Sequence, residues 1–256
     1  MRWNSIRCLA PCCLALTVWL AAASAPAVPP DHEVPCMRLH TEAGEILLAL
    51  FPDLAPHHAN NFLHLARTGF YDGTYFHRIV PGFVIQGGDP NTKDRDPRND
   101  GQGGPTLADV LTPAEQARLQ EASAVLSAKG YTGLPLDARA NLKAEFSPTA
   151  RHLRGTLSMA RARENDSAGS QFFICVDRTA ALDRQYTVFG HVIAGMEAVD
   201  KIVTAEIDPA RGRESPRDPV KILKIDLVTG IGSLAAVEQT AYREMLQTLA
   251  AGGSTW

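Results

Sequence analysis

The chain has 256 residues, of which 45% are hydrophobic and 21% charged, proportions ordinary for a globular protein. They exclude a disordered chain, a collagen-like fibre and a small disulfide-dense scaffold. Basic residues number 25 against 28 acidic, a net charge of −3 with no long basic run, so the footprint of a nucleic-acid-binding surface is missing.

Arg2 and Arg7 stand at the start with no acid, and an apolar run from Cys8 to Ala23 follows, broken by Pro11 and Thr17. Small residues then offer cleavage after Ala23, Ala25 or Ala27. This layout predicts a secretory signal peptide over residues 1–25. A retained membrane anchor would need about 20 continuous apolar residues, and this run is a little short, so no stable membrane insertion is expected once the leader is removed. Cys8, Cys12 and Cys13 fall inside it. Cys36 and Cys175 remain, and an exported chain either joins them or keeps two separate thiols.

Two strand-like runs, Met37 to Thr41 and Glu45 to Phe51, flank Glu42-Ala43-Gly44 and predict a β-hairpin. Pro56 then opens a helical pattern with Ala59, Phe62 and Ala66 on one face and Gly69 as its stop. Extended runs follow at Tyr75–Val80 and Phe83–Gln86 around Pro81-Gly82, then at Gly155–Met159, Gln171–Val176 and Thr187–Ile193. A second short helix is predicted at Met196–Val203, and Val220–Val228 alternates as a closing strand. Many short strands with two helices favour a closed barrel or sandwich over a parallel α/β sheet.

Between Asn91 and Pro148 the pattern changes to a Gly/Asp/Pro loop and then a helix. Thr112-Pro113-Ala114-Glu115 has the capping-box layout, Leu119, Ala122 and Leu126 form an apolar stripe, and Gly130 supplies a stop. This reads as a helical insertion over about 106–142. A further amphipathic helix, about Leu234 to Leu249, lies in a C-terminal extension over 230–256. His57, His58 and His64 lack i,i+4 spacing and an obvious acidic partner, and read as a solvated face; Asp94, Asp96 and Asp100 read as a polar turn. No metal is expected.

The most specific stretch runs from Tyr75-Phe76-His77-Arg78 through Phe83-Val84-Ile85-Gln86-Gly87-Gly88-Asp89. It resembles the signature of the cyclophilin-type peptidyl-prolyl cis-trans isomerases. Gly155-Thr156-Leu157-Ser158-Met159-Ala160, Gly169-Ser170-Gln171-Phe172-Phe173-Ile174 and Val188-Phe189-Gly190-His191-Val192 continue the match in order. The resemblance implies a mainly β domain over 36–229, a closed eight-stranded antiparallel barrel capped by two helices.

Proline's cis form lies only about 0.5–1 kcal/mol above trans, and the barrier between them is about 18–20 kcal/mol because the nitrogen shares its lone pair with the carbonyl. Catalysis of their exchange needs no nucleophile, cofactor or titrating base. It needs an anchored ring and a donor for the nitrogen once resonance is broken. Arg78, permanently charged, is the candidate donor, and Gln86 can help hold the carbonyl. His77 reads as structural or rim-lining.

The resemblance implies that Phe83, Val84, Phe173 and Leu182 form the proline pocket, with Ala160, Arg161, Gln171 and Tyr186 also binding substrate. Period-two geometry puts Gln171, Phe173 and Cys175 on one face and Phe172, Ile174 and Val176 on the other. Tyr186 matches a family position usually held by histidine. Ala181 stands where many eukaryotic members carry a tryptophan that bonds cyclosporin, so weak cyclosporin binding is expected. Arg161, often asparagine in the family, is expected to alter substrate preference. The Gly101-Gln102-Gly103-Gly104 loop resembles the glycine-rich loop beside the family's substrate groove, which would put the insertion near the residue preceding proline.

The expectation is therefore an exported, monomeric isomerase, in the periplasm of a Gram-negative cell, acting on proline-containing unfolded or newly exported polypeptides. The rival is a catalytically weak proline-segment binding module or holdase, with the insertion or C-terminal helix as interface.

Overall fold

The computed structural model describes residues 34–130, 132–133, 135–230 and 234–250; the leader expected over 1–25 lies outside the described residues. Eight strands are found among them: β1 (Cys36–Thr41), β2 (Gly44–Leu50), β3 (Arg78–Val80), β4 (Val84–Gly87), β5 (Thr156–Met159), β6 (Phe172–Cys175), β7 (Val188–Ala194) and β8 (Ile222–Val228). Five α-helices join them: α1 (Pro56–Arg67), α2 (Leu107–Val110), α3 (Pro113–Ala128), α4 (Met196–Val203) and α5 (Ala236–Ala250). The sequence pattern anticipates all of these except α2.

The strands form one antiparallel sheet in the order β3-β4-β6-β5-β7-β2-β1-β8, curled around a core that includes Phe62, Tyr71, Phe76, Phe172 and Phe189. Ring centroids there lie 5.1–6.2 Å apart in tilted and edge-to-face pairs, the arrangements favoured by the ring quadrupole. α1 packs on β7 and β8, and α4 on β2, β3 and β4.

The expected closed barrel is not formed. The sheet stays open between β3 and β8, which share no ladder. The Ile79 amide donates instead to the Glu214 carbonyl at 2.9 Å, so the 205–217 loop occupies the place a closing strand would take. Just before β3 the chain still meets the start of β8, through the Tyr75–Lys221 bridge and the bonds from Phe76 to Val220, Gly73 to Ile222 and Ile222 to Thr74 at 2.8–3.0 Å.

The run Ile46–Leu50 shows no alternation because both of its faces are covered. Ile46, Leu48 and Leu50 enter the main core, while Leu47 and Ala49 join Cys36, Phe51, Leu234, Tyr242 and Met245 in a second cluster under α5. α5 is tied down by Arg38, which grips the Glu238 carboxylate at 2.8 and 3.0 Å, and by the Tyr242 hydroxyl, which accepts from the Val34 amide at 2.9 Å. Cys36 and Cys175 are thiols buried in different clusters, and burial pushes the Cys175 thiol up to about 12.

β8 departs from simple alternation for a local reason. Thr41 pairs with Ile222 and His40 with Lys224, so Leu223 is the extra residue of a bulge and is 48% exposed.

The N-terminus of α1 is capped from a distance. Pro56 opens the helix, and the Glu145 carboxylate accepts from the His57 and His58 amides at 3.2 and 3.0 Å. The same carboxylate lies 2.7 Å from His58 Nδ1. His58 is fully buried and does have an acidic partner, so the expected solvated histidine face is incorrect for this residue.

α3 begins with the expected capping box, Thr112 with Glu115, and Gly130 follows in the left-handed region at φ +81°. Its stripe is not buried. Leu126 and Val125 are 41% and 56% exposed, and no residue of the helix is buried. The insertion is pinned at its base, where Leu107 donates to Ala138, Ala140 to Pro105 and Leu142 to Ala168, at 2.8–2.9 Å.

Candidate active site

Strand register assembles the site. Arg78 on β3 lies opposite Gln86 on β4, Gln86 opposite Phe173 on β6, and Phe173 opposite Ser158 on β5, so one row crosses four strands on one face. The two residues of β4 and β6 one step along the same face, Val84 and Cys175, also pair. β3 and β4 are joined through Pro81-Gly82, where Gly82 at φ +71° turns the chain and the Phe83 amide donates to the Val80 carbonyl at 3.0 Å. Gly88 sits at φ +83°, and a Cβ there would lie 2.6 Å from the Ser170 carbonyl oxygen, so glycine lets the two segments meet.

Along the polar part of the row, hydrogen bonds run in one direction. Arg78 Nη1 donates to Gln86 Oε1 at 3.1 Å, Gln86 Nε2 to Gln171 Oε1 at 2.9 Å, and Gln171 Nε2 to the Gly103 carbonyl at 2.8 Å. Each amide therefore has its orientation set by the next. Arg78 Nε donates to Glu214 Oε2 at 2.5 Å. Its other terminal nitrogen, Nη2, has no partner among the described residues, on a side chain that is 34% exposed.

Beside this polar edge, Val84, Ala160, Phe173 and Cys175 form a buried apolar cluster, with Phe83, Leu182 and Tyr186 half-buried against it. The Tyr186 ring meets Phe173 edge-on at 5.7 Å, and the Arg161 guanidinium lies 4.5 Å over Tyr186. The structure thus brings together every residue singled out for the site, and the two faces of 171–176 separate as the alternation requires: Phe172, Ile174 and Val176 belong to the main core.

Three polar residues were not singled out from the sequence. Glu214 reaches Arg78 from the 205–217 loop, held by the Ile207–Pro216 bridge. The buried His152 stacks on Phe173 at 5.9 Å and is itself fixed by Asp183 Oδ1, which accepts from its amide at 2.8 Å and lies 3.2 Å from its Nδ1. Its Nε2 lies 3.1 Å from the Ser158 hydroxyl, which donates to the Thr187 carbonyl. Burial holds the His152 ring below the ordinary imidazole value, against the opposing pull of Asp183. Asp183 is held below the usual carboxylate range: burial opposes this, but the His152 amide and Arg178 outweigh it. His77 is buried behind the row and its pKa is lowered by that burial, as fits a structural ring.

A cavity of about 410 Å³ opens directly off the site, bordered by Gln86, Ala160, Arg161 and Gln171 on one side and by the Gly101–Pro105 loop and Arg139 on the other.

Residues 36–227 match the family described as cyclophilin type peptidyl-prolyl cis-trans isomerase/CLD. A probable peptidyl-prolyl cis-trans isomerase of Brucella suis biovar 1 is 36% identical over 208 residues, 80% of this chain and 86% of that protein. Peptidyl-prolyl cis-trans isomerase 9 of Schizosaccharomyces pombe is 34% identical over 191 residues, 74% of this chain; the match spans only 25% of that longer protein. Among solved structures, a Cryptosporidium parvum cyclophilin type peptidyl-prolyl cis-trans isomerase in the presence of the dipeptide Ala-Pro is similar with a TM-score of 0.57 and 27% identity. That likeness covers 76% of this chain and 99% of the other.

Proposed function

The chain belongs to the cyclophilin-type peptidyl-prolyl cis-trans isomerases, and from that premise we propose that it accelerates X-Pro isomerisation in exported polypeptides and so assists their folding. The observation that carries this reading is the cross-strand row, which sets a guanidinium held by Gln86 and Glu214 beside an apolar cluster of Val84, Ala160 and Phe173.

The prolyl ring enters the cluster of Val84, Ala160 and Phe173, between Phe83, Leu182 and Tyr186. The carbonyl of the preceding residue faces Gln86 and Arg78. As the amide twists, its nitrogen becomes pyramidal and basic, and a proton on Arg78 Nη2 then finds an acceptor that the planar ground state does not offer. The bond forms only near the transition state, so it lowers the barrier rather than merely tightening binding. A hundred-thousandfold acceleration needs about 7 kcal/mol. A charged hydrogen bond supplies about 1.5–3 kcal/mol, so ring anchoring and carbonyl orientation must provide the rest.

Isomerisation of a short Ala-Pro peptide by the purified protein tests the activity: acceleration over the uncatalysed rate is expected, and binding without acceleration would leave the site a recognition module. Export to the periplasm rests on Arg2, Arg7, the apolar run to Ala23 and the small residues after it. N-terminal sequencing of the protein from a periplasmic fraction should begin after Ala23, Ala25 or Ala27. A cytoplasmic protein retaining Met1 would contradict export.

A further inference from the structure

The cavity beside the site differs in charge from the chain as a whole. The chain carries a net charge of −3, yet the cavity is lined by two guanidinium groups, Arg139 and Arg161, and by no carboxylate. The two arginines come from different parts of the fold: Arg161 follows β5, and Arg139 lies on the returning limb of the insertion.

Arg139 Nη2 donates to the Gln102 carbonyl at 2.7 Å, which fixes the group without neutralising it. Its Nη1 passes over Gly104, where a Cβ would lie 2.7 Å away, so the glycine clears the path into the cavity. Arg161 is anchored by backbone carbonyls, with Nε and Nη2 donating to Gln185 at 3.3 and 3.1 Å and Nη1 donating to Ala162 and Arg163 at 3.0 and 3.1 Å. Neither arginine has a carboxylate partner among the described residues. Asp89, which lies behind the lining with Oδ2 3.4 Å from Gln171 Nε2, is fully buried and bound by the Asn91 and Gly103 amides at 2.8 and 3.1 Å.

We infer that this cavity selects clients with a carboxylate side chain shortly before the proline, and that Arg139 and Arg161 are the specificity-determining pair. The inference rests on the reading of Arg78, Gln86 and the apolar cluster as the X-Pro site. The carbonyl that Gln86 faces belongs to the residue before proline, and Gln86 leads through Gln171 into the cavity wall. Chain entering the site from that side therefore carries its side chains past the two guanidinium groups. A glutamate or aspartate there exchanges water for fixed charged donors, whereas a lysine meets like charge.

The test uses the purified protein and peptides with Ala, Glu or Lys at each of the three positions before Pro, with kcat/KM measured by NMR exchange and Kd by NMR titration. At one of these positions kcat/KM should be about fivefold higher and Kd about fivefold lower for Glu than for Ala, and both should shift the other way for Lys. The advantage should shrink at about 0.5 M salt, where charge is screened. Arg139→Glu should reverse the order of the Glu and Lys peptides, a ratio insensitive to how much of the variant folds. Turnover of the Ala peptide with no difference among the three residues would overturn the inference and leave the isomerase reading standing. Tighter binding of Glu peptides without turnover would do the opposite. A preference for Glu that survives Arg139→Glu and Arg161→Gln together would also overturn it.

Discussion

The β4–β6 wall and the insertion border the same cavity but are held in opposite ways. In the wall, ladder register sets Val84, Gln86 and Phe173, and Phe172 and Phe173, adjacent in sequence, are committed to opposite faces. In the insertion, α3 buries none of its residues, and the segment is held by backbone bonds at its base. Geometry that must be exact for chemistry is built on the sheet. Arg139, proposed to bias recognition, is carried on the insertion, which meets the main core through Val110 and Leu142 while α3 stays exposed.

If this contrast is right, Phe172→Ala costs stability first. It opens the aromatic core at a fully buried ring and should lower unfolding free energy by about 3–5 kcal/mol in urea titration. A loss below about 1 kcal/mol would place the core elsewhere.

Acid should attack the sheet next. Burial pushes His191 on β7 down to about 4, so the unfolded chain takes up the proton first. Stability is then full above about pH 6.5 and falls as pH drops from there toward 4, by on the order of 3 kcal/mol. His58 and His152, also lowered by burial, act in the same direction. Asp100, raised to about 6 by burial and the nearby Asp89, opposes them over part of that range but is partly exposed. His191→Gln should flatten the curve of melting temperature against pH; an unchanged slope would remove His191 as its source.

Glu214→Gln separates positioning from folding. The pair with Arg78 is partly exposed and contributes about 0–1 kcal/mol, so the melting temperature should hardly move. The kcat should fall about fivefold with KM little changed, and Glu214→Asp should recover part of it. Equal kcat values would show that Gln86 alone orients the guanidinium. The smallest effect belongs to α3: Leu126→Ser, at a residue 41% exposed, should change stability by less than about 0.5 kcal/mol. A larger loss would mean that the stripe is covered in solution.

Much of this was legible in the sequence because it is local. Alternation over 171–176 separates pocket from core, Pro81-Gly82 marks the β3–β4 turn, and Thr112 with Glu115 marks the start of α3. What escaped is set by distant segments. Where the sheet opens, the Ile79 amide donates to Glu214, and both ends of that contact look unremarkable in sequence. Glu145 reaches back across the whole insertion to cap α1 and bury His58. His152 under Phe173 reads as one more isolated histidine. The stripe on α3 is a sound helical pattern, but periodicity shows which side is apolar and not whether anything lies against it.

In the proposed function Arg78 acts on the twisted amide while the sheet holds it in place. Isomerisation of a neutral Ala-Pro peptide by wild type and Arg78→Ala, with melting temperatures measured alongside, tests it most directly. A loss of kcat/KM of at least about 100-fold is expected, at a melting temperature within a few degrees of wild type. Equal kcat/KM for the two folded proteins would contradict it.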